Sequence, residues 1–273
     1  LEKTMLDRVR RLKERLRQGE IVYSAWVTFN DVGVAEVVAG AGYDAVFVDM
    51  EHTSITLDGF HHQLAAMRRW DTVVLVRVPD HSPGFIKRIL DIGADGIIAP
   101  MTMDAEQAAR LVAACKYPPE GTRGYGPRRA SDYFRGTDEY VTQANQSIFV
   151  MPQIEHWQAA QRAAEIAAVP GIDAICLGPA DLSATLGQLR NLEHPIVLQA
   201  MDQVFDAARD AGMATCMGYA VPPLEQLRWV AKGARFVIAG DDLQALRGRV
   251  TQSLEETRDI LSQSVPQHAK RGK

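Results

Sequence analysis

Cysteine is scarce in this chain: Cys115, Cys176 and Cys216 are its only three, and no Cys-x-x-Cys pair occurs. That excludes a disulfide framework and a thiolate zinc site of the usual spacing. Cys176 and Cys216 sit inside apolar runs and read as small buried hydrophobes in a reducing compartment. No apolar run approaches the roughly 18 residues of a membrane span. Positive charge is not in excess, since 30 Lys+Arg against 34 Asp+Glu leave a net −4, which argues against a nucleic-acid surface. Lysine is rare, and none of Lys3, Lys13, Lys87, Lys116, Lys232, Lys270 or Lys273 ends an apolar strand-like run. A Schiff-base lysine of a barrel enzyme sits there, so an imine mechanism is not expected. A Walker A loop and a dinucleotide-binding glycine motif are missing too. Leu1–Glu20 has no uninterrupted apolar core and reads as a charged amphipathic helix rather than a signal peptide. The expected location is the cytoplasm.

What is present is a rhythm. Short apolar runs at Ile21–Val27, Ala45–Asp49, Val73–Val78, Gly96–Pro100, Ile148–Ile154, Ala174–Leu177, Ala214–Met217 and Phe236–Ala239 alternate with amphipathic segments. The latter cover Val32–Ala41, Leu57–Arg69, Gly84–Ile92, Ala105–Cys115, Gln158–Ala168, Pro195–Ala211 and Pro223–Ala231, with a last helix over Asp242–Leu261. Runs apolar on both faces belong to parallel strands, and eight of them with following helices predict an α/β fold, a closed (β/α)8 TIM barrel. The expected division is an N-terminal helix over 1–19, one barrel domain over 20–262 and a polar tail over 263–273.

Glycine punctuates this rhythm. Gly42-Tyr-Asp-Ala, Gly93-Ala-Asp-Gly, Gly171-Ile-Asp-Ala and Gly233-Ala-Arg-Phe each end a helix and open strands two, four, six and eight. Tyr117–Gln146 interrupts it with a Pro-, Gly-, Arg- and Tyr-rich stretch, and a loop of that length is usually functional or an interface.

The chemistry gathers where strands end. Glu155 and Asp181 lie one βα unit apart, each just after its strand, and hard carboxylate oxygens suit Mg2+, Mn2+ or Co2+. Two protein ligands leave room for water and for a chelating 2-oxo acid. Arg77 closes an apolar strand, where a buried guanidinium requires an anionic partner. It reads as an oxyanion stabiliser and equally as a partner for Asp49 or Glu51. Of the histidines, His52, His81 and His156 fall on rim loops, and imidazole moves protons near neutrality. Position favours His52.

At these residues the chain resembles the HpcH/HpaI family of class II, metal-dependent pyruvate aldolases, 4-hydroxy-2-oxoheptanedioate and 2-dehydro-3-deoxyglucarate aldolases among them. That family belongs to the phosphoenolpyruvate/pyruvate barrel superfamily. The likeness runs from about Arg11 to Arg249 and is densest at Val48-Asp-Met-Glu-His52, Val76-Arg77, Tyr117-Pro-Pro-Glu-Gly-Thr-Arg-Gly124, Gln153-Ile-Glu155 and Gly178-Pro-Ala-Asp-Leu-Ser183. The resemblance implies His52 as base, Arg77 as enolate stabiliser, and Glu155 and Asp181 as ligands of a divalent metal. It implies substrate contacts at Gln153, Gly178, Ala180, Asp181 and Trp26, and an Asp91 that raises the basicity of the histidine. Asp91 closes a helix ahead of Gly93, at the opposite end of its own barrel, so a neighbouring subunit, a different helix boundary or an indirect role is needed.

The implied reaction is reversible cleavage of a 4-hydroxy-2-oxo acid to pyruvate and an aldehyde, through a pyruvate enolate held by the metal and Arg77. The resemblance also implies a homo-oligomer, a hexamer, with the last helix against a neighbouring barrel. Oxaloacetate decarboxylase and macrophomate synthase-like enolate chemistry share such a site. A coenzyme A-ester lyase of the citrate lyase β type is less well matched, because those relatives carry an acidic residue where this chain has His52. The arginines of Tyr117–Gln146 suggest an acidic or polyhydroxylated acceptor aldehyde.

Overall fold

A computed structural model describes residues 5–264 of the chain. Residues 1–4, and the expected polar tail beyond Ser264, lie outside the described residues. Strands β1 (Val22–Val27), β2 (Ala45–Asp49), β3 (Val73–Arg77), β4 (Gly96–Ala99), β5 (Phe149–Ile154), β6 (Ala174–Leu177), β7 (Ala214–Met217) and β8 (Ala234–Asp241) close into a barrel in sequence order. Neighbours are parallel throughout, including β1 on β8. The helices are α1 (Met5–Arg17), α2 (Val32–Gly40), α3 (Leu57–Met67), α4 (Pro83–Ile92), α5 (Ala105–Cys115), α6 (Thr137–Ser147), α7 (Trp157–Gln161), α8 (Ala163–Ala167), α9 (Pro179–Thr185), α10 (Pro195–Asp210), α11 (Pro223–Ala231) and α12 (Asp242–Ser264). The chain is a (β/α)8 barrel.

The strands are apolar on both faces because two cores flank them. Phe47, Leu75, Ile98, Met151, Cys176 and Cys216 fill the barrel interior. Val46, Val48, Val74, Val76 and Ile175 lie against the helices instead. Side chains alternate along a strand with a period of two. Carrying the inward series on to the C-terminal ends brings it to Asp49, Arg77, Gln153 and Gly178, so the polar residues of each strand crown the interior. This is the end at which barrels of this class do chemistry.

The N-terminal mouth is plugged by α1, whose Val9, Leu12 and Leu16 join the interior core. The glycine pattern explains the plug's attachment. Gly42, Gly93 and Gly171 take positive φ of 95, 107 and 95°, the left-handed helix stop that glycine adopts freely. The aspartate two residues on from each accepts the amide of the strand before it: Asp44 from Tyr23 (2.9 Å), Asp95 from Val74 (2.7 Å) and Asp173 from Val150 (2.9 Å). Each also pairs with a cation of α1. Arg15 meets Asp44, Arg8 meets Asp95 at 3.3 Å, and Lys13 meets Asp173 at 3.0 Å.

Three departures from the sequence pattern are instructive. The Tyr117–Gln146 segment is not irregular throughout, since α6 forms near its end and buries Tyr140, Ala144 and Ser147. The helix expected over Gln158–Ala168 breaks into α7 and α8 at Arg162 (φ −104°, ψ 12°). Strand β8 runs on to Asp241 and passes directly into α12, which touches the barrel only near its own start, through β1 and β8. Leu243, Leu246, Val250, Leu254 and Leu261 of α12 are left exposed.

Candidate active site

A cavity of about 320 Å³ opens at the C-terminal rim, lined by Trp26, Thr28, Asp49, His52, Arg77, Gln153, Glu155, Gly178, Pro179, Ala180, Asp181, Gly218, Tyr219 and Asp241. Residues from seven of the eight strand ends thus meet in one place. A larger cavity of about 720 Å³ lies beside α1 at the other end, among Arg10, Lys13, Lys116 and Asp173. We place the chemistry at the smaller one, because it alone holds the rim carboxylates with the guanidinium and imidazole.

Arg77 and Asp49 face each other across β3 and β2 in register. Arg77 Nε donates to Asp49 Oδ1 at 3.0 Å and its terminal nitrogen to Oδ2 at 2.7 Å, a two-pronged ion pair. Glu51 approaches Arg77 Nε at 3.2 Å, and the guanidinium lies over the Trp26 ring at 4.7 Å. Burial alone raises the Asp49 carboxyl pKa, but the bonds and charge of Arg77 and the amides of Glu51 and His52 outweigh it and hold it below the ordinary value. Both readings of Arg77, partner of Asp49 and cation of the pocket, are compatible with this geometry. Trp26 is fixed by its indole N–H, which donates to Gly218 O at 3.2 Å.

Glu155 is 2% exposed, yet no basic side chain pairs with it among the described residues. Its carboxylate accepts the Met101 amide at 2.6 Å on one oxygen and the Gln153 amide on the other. Burial pushes its pKa up, and the charges of Glu51 and Asp181 push the same way. Glu51 rises for related reasons, burial first, and its Oε2 is buried without a hydrogen-bond donor. Glu155, a buried carboxylate with no cationic side chain paired to it among the described residues, fits a missing positive charge. Gly178 packs hard on this group: a Cβ there would run into Glu155 Oε2 and lie 2.9 Å from Gln153 Nε2. Among the described residues no three His, Cys, Asp or Glu converge in ligating reach. Glu155 and Asp181 line the same cavity, and two carboxylates there could hold a hard cation completed by water and substrate oxygen.

Of the three rim histidines, His52 lines the cavity. Its side chain is 60% exposed, with Nε2 3.5 Å from Glu51. His156 instead caps α7, accepting the Gln158 amide through Nδ1 at 3.2 Å. His81 is held by the Pro100 carbonyl, 2.6 Å from Nε2. Gln153 is buried, and its Oε1 has no partner within the protein. Ala180 and Asp181 stand in the first turn of α9, where amides lack intrahelical acceptors.

Asp91 does not join this group. It sits at the end of α4 and accepts from Arg123 at 2.6 Å, while Arg123 also bonds the Tyr140 hydroxyl at 3.1 Å and stacks on Tyr117. Arg129 and Arg135 of that segment are also engaged away from the cavity, on the Ile92 carbonyl and on Asp132. Thr28, Tyr219 and Asp241 are cavity residues that the sequence did not single out. For Asp241 a signal existed, an acidic pair ending the last strand, but the strand was expected to stop at Ala239. Burial and the charges of Glu225 and Glu193 push the Tyr219 phenol up to about 12, so it stays protonated at neutral pH.

A family profile described as HpcH/HpaI aldolase/citrate lyase matches residues 23–248. A 2-keto-3-deoxy-L-rhamnonate aldolase of Escherichia coli (strain K12) is 37% identical over 244 residues, covering 89% of this chain and 91% of the relative. Among solved structures, an HpcH/HpaI aldolase/citrate lyase family protein from Burkholderia cenocepacia J2315 superposes with a TM-score of 0.86 at 33% identity, covering 91% and 99% of the two chains. An HpcH/HpaI aldolase from Desulfitobacterium hafniense DCB-2 gives 0.84 at 32%, covering 90% and 96%.

Proposed function

Because the chain belongs to the HpcH/HpaI aldolase/citrate lyase family, we propose that it is a divalent-metal-dependent pyruvate aldolase that reversibly cleaves a 4-hydroxy-2-oxo acid. As a carbon–carbon lyase it releases pyruvate and an aldehyde. The observation that carries this reading is Glu155, a buried carboxylate without a basic partner, beside Asp181 and in one cavity with Arg77 and His52.

Glu155 and Asp181 would hold Mg2+, Mn2+ or Co2+, which when bound supplies Lewis-acid polarisation of the 2-oxo group. The amides of Ala180 and Asp181 suit the substrate carboxylate, and Gln153 Oε1 offers an acceptor. His52 takes the proton of the C4 hydroxyl. The electron pair left on that oxygen forms the aldehyde carbonyl, the C3–C4 bond breaks, and its pair becomes the C2–C3 double bond of the enolate. Arg77 stabilises the charge on the C2 oxygen, held in orientation by Asp49. The aldehyde leaves, and a proton delivered to C3 gives pyruvate.

The cavity also presents Thr28, Tyr219 and Asp241, and Arg123, Arg129 and Arg135 of the Tyr117–Gln146 segment are occupied elsewhere. This favours a neutral, hydroxylated aldehyde over one bearing a carboxylate, in keeping with the name of the E. coli relative. The exposed stripe on α12 supports assembly of copies of this chain, a hexamer by the resemblance. Any action of Asp91 on His52 would then come from a neighbouring copy. The test is a comparison of pyruvate addition to lactaldehyde or glyceraldehyde with addition to succinate semialdehyde. The neutral acceptors should be used at least tenfold more efficiently, and preference for the acidic one contradicts the assignment.

A further inference from the structure

His81 is a rim histidine that the reaction leaves unused, and the structure places it against the loop that serves Glu155. Its Nε2 lies 2.6 Å from Pro100 O, with the Thr102 hydroxyl at 3.5 Å. Nδ1 is buried and has no partner, so the ring's one polar engagement of normal length is with Pro100. The next residue, Met101, has a φ of 49°, a left-handed conformation unusual for a residue with a side chain. The Met101 amide, in one rigid peptide plane with the Pro100 carbonyl, donates to Glu155 Oε1, 2.6 Å away. Thr102 then ties the loop back to β5, its amide on Gln153 O at 3.1 Å and its hydroxyl on Ala99 O at 3.2 Å.

We propose that His81 is a positioning residue for the metal-binding carboxylate. It clamps the Pro100 carbonyl so that Met101 keeps its left-handed turn and its N–H holds Glu155 in the ligating orientation. The chain of contacts is continuous: imidazole Nε2–H to Pro100 O, the Pro100–Met101 peptide, and Met101 N–H to Glu155 Oε1. Among the described residues His81 is the one donor to the Pro100 carbonyl, so without it that peptide is free to turn and the amide swings off Glu155. The inference rests on Glu155 as a metal ligand.

The direct readout is Mn2+ binding to metal-stripped protein, followed by calorimetry without substrate. Supporting groups behind a metal ligand are worth tens-fold in affinity. H81A should bind Mn2+ about tenfold more weakly. H81Q, whose amide nitrogen reaches the place of Nε2, should stay within about threefold of wild type. H81N is polar but too short to reach Pro100 O, so it should follow H81A, and it carries the comparison if H81A does not fold. Pyruvate release by H81A and H81N should recover to near the wild-type rate once Mn2+ is saturating.

Wild-type Mn2+ affinity in H81N or H81A overturns the proposal. Equal weakening in H81Q and H81N also overturns it, since it would report packing rather than the Pro100 bond. E155Q separates the two levels of argument. If E155Q loses Mn2+ binding while H81N does not, only the role of His81 falls. If E155Q binds Mn2+ like wild type, the assignment of Glu155 falls, and the role of His81 with it.

Discussion

Arg77 and Asp49 are locked side by side on adjacent strands, two nitrogens on two oxygens at 3.0 and 2.7 Å. The lock fixes the plane of the guanidinium and leaves its remaining donors toward the cavity. Asp49 works on both neighbours, because its Oδ1 also accepts the His52 amide at 3.3 Å. A single side chain therefore aligns the cation and the loop of the candidate base.

D49N should cost about a hundredfold in kcat/KM, since a carboxylate-fixed guanidinium is a preorganised oxyanion partner. R77K should not rescue function, because an ammonium lacks the two-pronged fork. Steady-state kinetics on both variants checks this. Wild-type kcat/KM in D49N would mean that the pair is only structural.

The same pair sets a pH dependence of stability. The Asp49 carboxyl lies below its ordinary value of 3.8 in the folded state. Its contribution is therefore fully present above that value and is lost as pH falls through the lowered one. Unfolding free energies of wild type and D49N from urea titrations should differ by about 3 kcal/mol at neutral pH and converge on acidification. A gap that persists at the acid end of the titration contradicts the assignment.

The His52 side chain is well exposed, at 60%. H52A should leave the melting temperature within about 1 °C of wild type, as surface changes do. Aldol cleavage should fall about a thousandfold, in the range of general-base loss. Thermal unfolding run beside the kinetics separates the two effects. A large loss of stability in H52A would move His52 from chemistry to structure.

Oxaloacetate gives the same enolate by losing CO2, without a C4 hydroxyl proton to remove. Its decarboxylation should depend on Arg77 and Glu155 but far less on His52. R77A and E155Q should abolish it, while H52A should reduce it much less than it reduces aldol cleavage. Equal losses in all three would remove the division of labour between base and enolate stabiliser.

At the other end of the barrel, Lys13 meets Asp173 at 3.0 Å and donates to the Ile148 carbonyl at 2.8 Å, nearly buried beneath the plug helix. Burial lowers the Lys13 pKa and raises that of Asp173, so each charged form depends on the other. K13A should cost about 3 kcal/mol by leaving Asp173 unpaired. Because the plug is remote from the rim, kcat/KM should be unchanged. Urea unfolding and kinetics on one preparation decide it.

The barrel was legible because its strands are short, apolar on both faces and punctuated by Gly-x-Asp. Those aspartates turned out to be anchor points for α1, which no local pattern announces because their partners lie far away in sequence. Glu155, Asp181, Arg77, Gln153 and His52 could be read as candidates because each stands at the end of an apolar run or within four residues past it. Asp241 was hidden by a misjudged strand end. The roles of Met101 and His81 were hidden for a different reason: a backbone amide and a carbonyl clamp have no side-chain signature. Arg123, Arg129 and Arg135 find their partners away from the cavity, which composition alone does not announce.

The central claim is that the two carboxylates Glu155 and Asp181 hold the ion on which turnover depends. The most direct measurement is pyruvate release from 4-hydroxy-2-oxoheptanedioate or a 2-keto-3-deoxy sugar acid, coupled to lactate dehydrogenase, as chelator-stripped protein is titrated with Mn2+. The account predicts no turnover without the ion, saturable recovery with it in the wild type, and none in E155Q. Undiminished turnover in stripped protein, or full recovery in E155Q, would contradict it.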